Sequence, residues 1–298
     1  MSVETSSFVP DAARETKEQV FVEVLQADDR EGIFEYIKHE VSLDFEHLGS
    51  RVWEARQRGS IGPEVSDEEA RGVVFNELVL YRQDQIRQGK LRVILGREGD
   101  EKGAPVVATS VVALESGTMG KTFKPNEAWA AGTAVRADQQ SQGIGERMGK
   151  AQEVVARDAQ KEFMLTEISA ENGPSERLRI NKLGYALEGV TSKSVDREGK
   201  IPTYRFRKDL RSEMPQVDWV GRVKDGSIRP FGWSGESNMQ SDEVFVDPLD
   251  KASVQSALNQ GSRGVALLRP EDFGNEHPIE HNIIVFVRKV PAIEASMT

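Results

Sequence analysis

The chain has 298 residues, a formal net charge of −10 and no cysteine. With 38% hydrophobic residues it can build a core of one large domain or two ordinary ones, which argues against wholesale disorder. The acidic balance argues against nucleic acid as the main partner, and the lack of cysteine excludes disulfides, thiolate metal ligands and a cysteine nucleophile.

The N-terminal segment, residues 1–17, is polar and acidic, and we expect it to be a disordered tail. It contains no apolar stretch of the kind that marks a secretion signal. No apolar run anywhere in the chain approaches the ~20 residues that a membrane span needs. The sequence therefore predicts a cytoplasmic protein without membrane contacts.

A strand and two helices are predicted after the tail. Val20–Leu25 is a β-branched run typical of a strand. Asp28, followed three positions later by Glu31, has the pattern of a helix N-cap and capping box. Ser66 and Glu69 repeat that pattern and predict the start of a second helix.

From residue 91 onward the apolar period changes to that of strands, with two helices between them. The predicted strands are 91–95, 106–114, 127–135, 163–169, 186–195 and 201–208, and the helices are 143–160 and a short one ending at 183–184. The order β-α-α-β-β-β-α-β-α-β-β predicts an α/β (α+β) domain over residues 18–210. Its core is a mixed central sheet of about six to seven strands flanked by helices.

The C-terminal part has a different composition. Residues 211–240 contain proline, glycine and tryptophan and are interpreted as a linker. Residues 241–298 predict a smaller α/β extension with a strand, a helix and two further strands. This extension could complete an acceptor pocket, form a dimer interface or be a degenerate second copy of the main fold.

One turn carries most of the chemical information. Between the strand ending at Val135 and the following helix, Gly143 and Gly145 leave room for a ligand to approach the backbone. The first N–H groups of a helix have no internal partner and favour a phosphate. The spacing fits neither a P-loop nor a dinucleotide-binding fingerprint, because Ala151 and Met148 stand where those motifs need other residues.

What fits is Gln/Arg-x-x-Gly-x-Gly/Ala, present as Gln140-Ser-Gln-Gly143-Ile-Gly145. This segment resembles the acetyl-CoA-binding motif of the GNAT N-acetyltransferase superfamily. The stretch from Asn172 to Tyr185, with Lys182-Leu183-Gly184 near its end, is similar to a second family segment. The resemblance covers about residues 18–210.

The resemblance implies acetyl-CoA as a co-substrate, no metal, and direct transfer of an acetyl or other short acyl group to a primary amine. The backbone around Thr133 and Val135 would pair with the pantetheine arm, and the Val135 N–H would stabilise the oxyanion. Asn172 matches a position that touches the cofactor. The residues implied to hold the pyrophosphate are Gln140, Ser141, Gln142, Gly143, Ile144, Gly145 and Glu146.

The chain departs from the family at the proton donor. The position that is often tyrosine in the family is Ile180 here, and isoleucine cannot protonate a leaving thiolate. Ser175 could replace it, or could simply cap a helix after Pro174. Otherwise solvent is the donor, or the chain is a catalytically silent CoA-binding sensor or scaffold.

Two carboxylates are candidates for the general base that a protonated amine requires. Glu127 begins the strand that leads to Val135, and alternation places it on the face of Trp129, Thr133 and Val135. Glu167 lies in the neighbouring strand, where a carboxylate is unusual. Either could instead be an ordinary exposed strand residue.

The acceptor is expected to be a small-molecule or peptide amine, and a homodimer is the assembly that we consider beside a single chain. A metal site built from His277, His281 and a carboxylate is conceivable at helical spacing, but Pro278 favours a loop there. We therefore expect no metal site. A nucleotide-binding protein, as a third class, would need the phosphate-loop spacing that is absent.

Overall fold

The computed structural model describes residues 20–43, 52–99, 103–191, 202–212, 217–225, 243–274, 279 and 281–288. Predictions for the tail at 1–17, most of the 211–240 linker and His277 lie outside the described residues.

The described strands form one sheet in the order β1-β2-β3-β4-β5-β7-β6-β9-β10-β8. Its described pairs are antiparallel except β4 with β5, which run parallel. The strands are β1 Val20–Val24, β2 Leu91–Glu98, β3 Val106–Ala113, β4 Glu127–Val135, β5 Phe163–Ser169, β6 Ala186–Thr191, β7 Thr203–Asp209, β8 Glu243–Val246, β9 Arg263–Leu268 and β10 Ile283–Val287.

Helices connect these strands, and a π-helical turn, Leu178–Lys182, follows the short helix after β5. The helices are α1 Arg30–Leu43, α2 52–57, α3 Asp67–Arg87, α4 Ile144–Asp158, α5 Gly173–Arg177, α6 Trp219–Lys224 and α7 Lys251–Asn259. The predicted order of elements over residues 18–210 is confirmed except that a third helix, α2, lies between β1 and β2.

The mixed α/β class is confirmed, but the sheet has ten strands and so exceeds the predicted six to seven. The C-terminal strands extend the main sheet through one residue pair, Leu187 of β6 with Gly264 of β9. A Cβ on Gly264 would lie 3.0 Å from the Leu187 Cβ and 2.9 Å from Ile284, so glycine permits this close approach.

The C-terminal strands do not repeat the start of the main fold. There, the first strand β1 pairs with the second, β2. In the C-terminal part the first strand β8 pairs with the third, β10. In the second half of the main fold, however, β5 pairs with β7 and β7 with β6, just as β8 pairs with β10 and β10 with β9. The alternative of a degenerate second copy of that half therefore stays a prediction.

The helix caps test the sequence patterns directly. Ser66 and Glu69 form the predicted capping box at α3, with the serine oxygen accepting from the Glu69 N–H. At α1 the prediction was wrong by one residue, because Asp29 rather than Asp28 accepts a hydrogen bond from the Gly32 N–H at 2.9 Å. A carboxylate in either place has the same local chemistry, so the sequence pattern alone does not distinguish them.

The two faces of the sheet carry separate cores. Ala128 and Ala130 of β4 belong to the cluster that packs against α4, with Met148 at its centre. Trp129, between those alanines, belongs to the cluster that packs against α1, where Ile37 lies. Because side chains alternate along a strand, one face of β4 packs against α4 and the other face packs against α1.

A buried carboxylic acid lies behind this framework. Glu176 of α5 is 0% exposed, and neither of its carboxyl oxygens has a hydrogen-bond partner among the described residues. Burial raises the pKa of the Glu176 carboxyl from 4.5 to about 8. Between those pH values the folded chain binds a proton that the unfolded chain has lost, so stability falls as pH rises.

We predict that Glu176→Gln stabilises the fold increasingly from pH 5 to pH 8, because the amide needs no proton to stay neutral. The advantage over the unmodified chain should grow by about 1.4 kcal/mol per pH unit. Urea unfolding at several pH values measures it. Glu77→Gln, which removes an exposed carboxylate on α3, is the control and should give a curve parallel to that of the unmodified chain. A parallel curve for Glu176→Gln would contradict the assignment.

Candidate functional site

A cleft opens in the middle of the sheet where β4 and β5 separate. They pair only from Glu127–Trp129 to Phe163–Leu165, although β4 continues to Val135. In this unpaired stretch Gly132 is exposed and Thr133 and Val135 are half-buried. A central strand with an accessible edge has backbone groups available for a ligand.

The hydrogen bonding of β4 shows which amides face the cleft. The Arg136 N–H donates to the Val107 carbonyl oxygen on β3 at 2.8 Å. Backbone groups alternate along a strand, so the N–H and C=O of Val135 point the other way, into the cleft. Gln140 confirms this direction, because its side-chain amide donates to the Val135 carbonyl oxygen at 3.2 Å.

A β-bulge changes the faces of β4. The register with β3 shifts between Thr109 and Val111, and Gly132 adopts a φ of +59°. Beyond the bulge, Val135 packs with the α4-side core, whereas Trp129 packs with the opposite core. The prediction that Glu127 shares a face with Val135 was therefore wrong.

The predicted phosphate turn has two left-handed residues, Ser141 at φ +64° and Gly143 at φ +80°. Gly143 is the N-cap of α4 and no side chain caps this helix. In the described part of the chain, no acceptor is bonded to the backbone N–H groups of residues 141–146. These donors meet the positive end of the α4 dipole.

The surroundings of these donors suit an anion. Two acidic side chains of this segment are paired with cations, since Asp138 pairs with Arg136 at 2.6 Å and Glu146 with Lys150 at 2.8 Å. Nothing lies within 4 Å of the place where a Cβ on Gly143 would be. The turn therefore fits the diphosphate of a CoA-type ligand.

The start of α5 follows β5 directly. Asn172 is its N-cap, and the asparagine side-chain oxygen accepts from the Ser175 N–H at 3.2 Å. The alternative that Ser175 caps the helix is wrong, because Asn172 is the capping residue and Ser175 only donates its backbone N–H to it. Asn172 is exposed and Ser175 half-buried.

Glu127 lies at the far end of β4 from the turn. It is 4% exposed, accepts from the Lys124 N–H at 2.8 Å and pairs with Arg207 at 3.2 Å. These contacts account for a buried carboxylate without a substrate. Its predicted role as a base receives no support from this position.

Glu167, unlike Glu127, lies beyond the point where β4 and β5 separate. It lies on β5, just beyond Leu165, which is the last β5 residue paired with β4. Its carboxylate pairs with Lys121 at 2.7 Å and with Arg205 at 3.1 Å. Both cations also lie over the Trp129 ring, at 4.9 and 5.7 Å from its centre.

Three features near the cleft escaped the sequence analysis. Gly132, inside a predicted strand, was the available signal for the bulge. His39 of α1 is half-buried beside Thr109, and burial followed by the charge of Arg136 lowers the pKa of its imidazole. Arg179 is buried and bonded to Thr133, and no local pattern indicates it.

No protein-family model and no curated protein matches the chain. Solved structures are similar to it, among them yncA from Salmonella typhimurium with its cofactor acetyl-CoA, at 15% identity and a TM-score of 0.44, covering 67% of this chain and 99% of that one. An N-acetyltransferase from Staphylococcus aureus has 12% identity and a TM-score of 0.42, covering 64% and 99%. A GNAT-family acetyltransferase from Streptococcus pneumoniae has 10% and 0.43, covering 64% and 99%.

Identities and TM-scores this low transfer no residue role to this chain. The element order of the described residues and the free end of β4 agree with the GNAT-like fold that the motifs imply. None of the described helices is long and apolar enough to cross a membrane. Within the described ranges, no group of three histidine or carboxylate side chains could hold a metal ion.

We predict that Glu127→Gln lowers the free energy of unfolding by about 1–3 kcal/mol, because Arg207 loses the charge of its buried partner. Thermal or urea unfolding measures this. Exposed Glu77→Gln on α3 is again the control. Unchanged stability together with lost activity would instead favour the catalytic interpretation of Glu127.

Proposed function

We propose that the chain is an acyl-CoA-dependent N-acyltransferase acting by direct attack in a ternary complex. One observation supports this most: an unpaired central strand delivers the Val135 amide into a cleft and continues into an uncapped helix N-terminus. The thioester arm of an acyl-CoA needs strand amides such as that of Val135, and its diphosphate needs the free N–H groups at the start of α4.

The binding roles follow from that continuity. The N–H groups of residues 141–146 and the α4 dipole would hold the diphosphate, with Gln140 beside them. Thr133 and Val135 would border the pantetheine arm along the free edge of β4. Asn172, exposed at the start of α5, would contact the ligand from the β5 side.

An acyl-CoA supplies an activated carbonyl group that a neutral amine can attack. The Val135 N–H would donate to the carbonyl oxygen as negative charge develops on it. Glu167 is proposed as the base, because its carboxylate lies on β5 past the point of separation and already binds a primary ammonium group, that of Lys121. Ser175 remains a second candidate for proton transfer at the α5 side.

The acceptor in this proposal is a small-molecule or peptide amine, consistent with a carboxylate on the cleft face opposite α4. The cytoplasmic location and a homodimer stay predictions. A catalytically silent CoA-binding sensor or scaffold is the alternative. It is favoured by Ile180, which is 2% exposed in the core and offers no proton donor.

A thiol-release assay separates the two proposals. Acetyl-CoA with a panel of amines should yield free CoA at a rate that depends on the amine, and mass spectrometry should find the acylated product. Saturable CoA binding by calorimetry without thiol release would favour the silent alternative. If neither CoA binding nor thiol release is found, both the acyltransferase proposal and the silent CoA-binding alternative are wrong.

We predict that Gly143→Asp weakens CoA binding at least tenfold, since the new carboxylate repels the diphosphate at the helix N-terminus. Gly143→Asn should weaken it less, because asparagine tolerates a left-handed backbone and carries no charge. Isothermal titration calorimetry gives the affinities.

Gly89→Asp is the matched control. Gly89 has a φ of +76° and open space around it, as Gly143 does, but it follows α3 away from the cleft. Gly89→Asp should lower the free energy of unfolding as much as Gly143→Asp does, and it should leave the CoA affinity unchanged. Normal CoA affinity in Gly143→Asp would show that the ligand binds elsewhere.

We predict that Glu167→Gln lowers kcat by about 10²-fold or more with little change in CoA affinity, because the amide cannot accept a proton. Steady-state kinetics and calorimetry separate the two effects. An unchanged kcat would assign Glu167 to its ion pairs with Lys121 and Arg205 alone.

A further inference from the structure

Arg179 is a buried cation whose hydrogen-bond acceptors are neutral. Arg179 is 3% exposed. It donates to the Gln152 side-chain oxygen at 2.7 Å, to the Tyr185 hydroxyl at 3.2 Å and to the Thr133 hydroxyl at 3.3 Å. None of the ion pairs found among the described residues includes it.

The neighbouring groups leave the charge unbalanced. Burial raises the pKa of the Tyr185 hydroxyl to about 12, so the phenol stays neutral beside Arg179. Glu153 of α4 also faces Tyr185, but it already pairs with Lys208 of β7 at 2.7 Å and with Arg157 at 3.4 Å. Because the Arg157 side chain is 42% exposed, the buried part of this packing contains two cations, Arg179 and Lys208, for one carboxylate.

The unbalanced charge borders the cleft. Thr133 belongs to the part of β4 that has separated from β5. Gln152, another partner of Arg179, donates to the carbonyl oxygens of Val111 on β3 at 3.0 Å and Ala131 on β4 at 3.3 Å, two facing residues next to the bulge. Arg179 is thus fixed against the strand that lines the cleft.

Burying a cation without an anion is costly, and a packed protein tolerates it mainly where function needs the charge. A preorganised positive charge is most effective where negative charge develops during a reaction in a site that excludes water. In the cleft, that charge would be on the sulfur that leaves.

We propose that Arg179 stabilises the departing CoA thiolate, so that transfer needs no proton donor at Ile180. This rests on the proposed acyl transfer. The amine nitrogen bonds to the carbonyl carbon, the carbon–sulfur bond breaks, and its electron pair stays on sulfur as the thiolate. The proton that the amine nitrogen loses goes to the base or to solvent.

The test compares CoA with desulfo-CoA, which lacks the thiol, by calorimetry from pH 6 to pH 9. An ordinary thiol titrates near pH ~8.5. A cation at the sulfur lowers that value in the complex, so the ratio of CoA affinity to desulfo-CoA affinity should rise about tenfold or more across this range. A flat ratio in the unmodified protein overturns the proposal without any variant.

Arg179→Gln should abolish the rise while leaving desulfo-CoA affinity within a few-fold, and Arg179→Lys should retain part of it. Arg157→Gln removes a cation from the same packing near the other end of α4 and should keep the full rise. A rise that persists in folded Arg179→Gln would overturn the role of Arg179.

Failure of the proposal is distinguishable from failure of the proposed function. If neither CoA nor desulfo-CoA binds, the acyl-CoA site itself is wrong. If both bind with a ratio that does not depend on pH, the site stands and the role of Arg179 is wrong.

Discussion

The separation of β4 from β5 after Trp129 is the constraint on which the rest of the site depends. A parallel pair in the middle of a sheet would normally continue, because unpaired backbone groups are costly. Here the bulge at Gly132 bends and twists β4 before the pairing can extend. The free edge, the direction of the Val135 amide and the entry into α4 all follow from that bend.

The cleft also has an electrostatic asymmetry that the overall charge conceals. The chain is strongly acidic, yet the α4 side of the cleft combines a positive helix terminus with the buried Arg179. On the opposite face, Glu167 supplies a carboxylate held by two cations. Since Lys121 and Arg205 balance the Glu167 carboxylate, the charge of the α4 side dominates and would suit the anionic cofactor of the proposed function.

Local sequence patterns predicted the parts of this fold that depend on near neighbours. The strand, glycine turn and helix around Gly143 were predicted because N-caps, positive φ values and apolar periodicity act within a few residues. The capping box at Ser66 was predicted for the same reason. The bulge reversed the expected face of Val135, because one inserted residue changes a period-two pattern that otherwise holds.

Long-range contacts could not be predicted in this way. The joining of the C-terminal strands depends on Leu187 meeting Gly264, and nothing near either residue specifies the other. Arg179 has partners 27 and 46 positions away in sequence, so its neutral surroundings are visible only after folding. The sequence could show that residue 180 offers no proton donor, but not that the fold buries a cation against Thr133.

The proposed role of Arg179 offers a physical reason for an isoleucine at position 180. Ile180 is buried in the α4-side core together with Met148 and Leu183. In the proposed mechanism a tyrosine hydroxyl at this position would donate a proton, whereas an apolar side chain next to Arg179 in sequence adds no polar group that would screen the guanidinium charge. The departing sulfur would then be stabilised as an anion rather than neutralised. In the proposed mechanism the isoleucine at 180 and the buried arginine at 179 would form a single arrangement, in which charge replaces proton transfer.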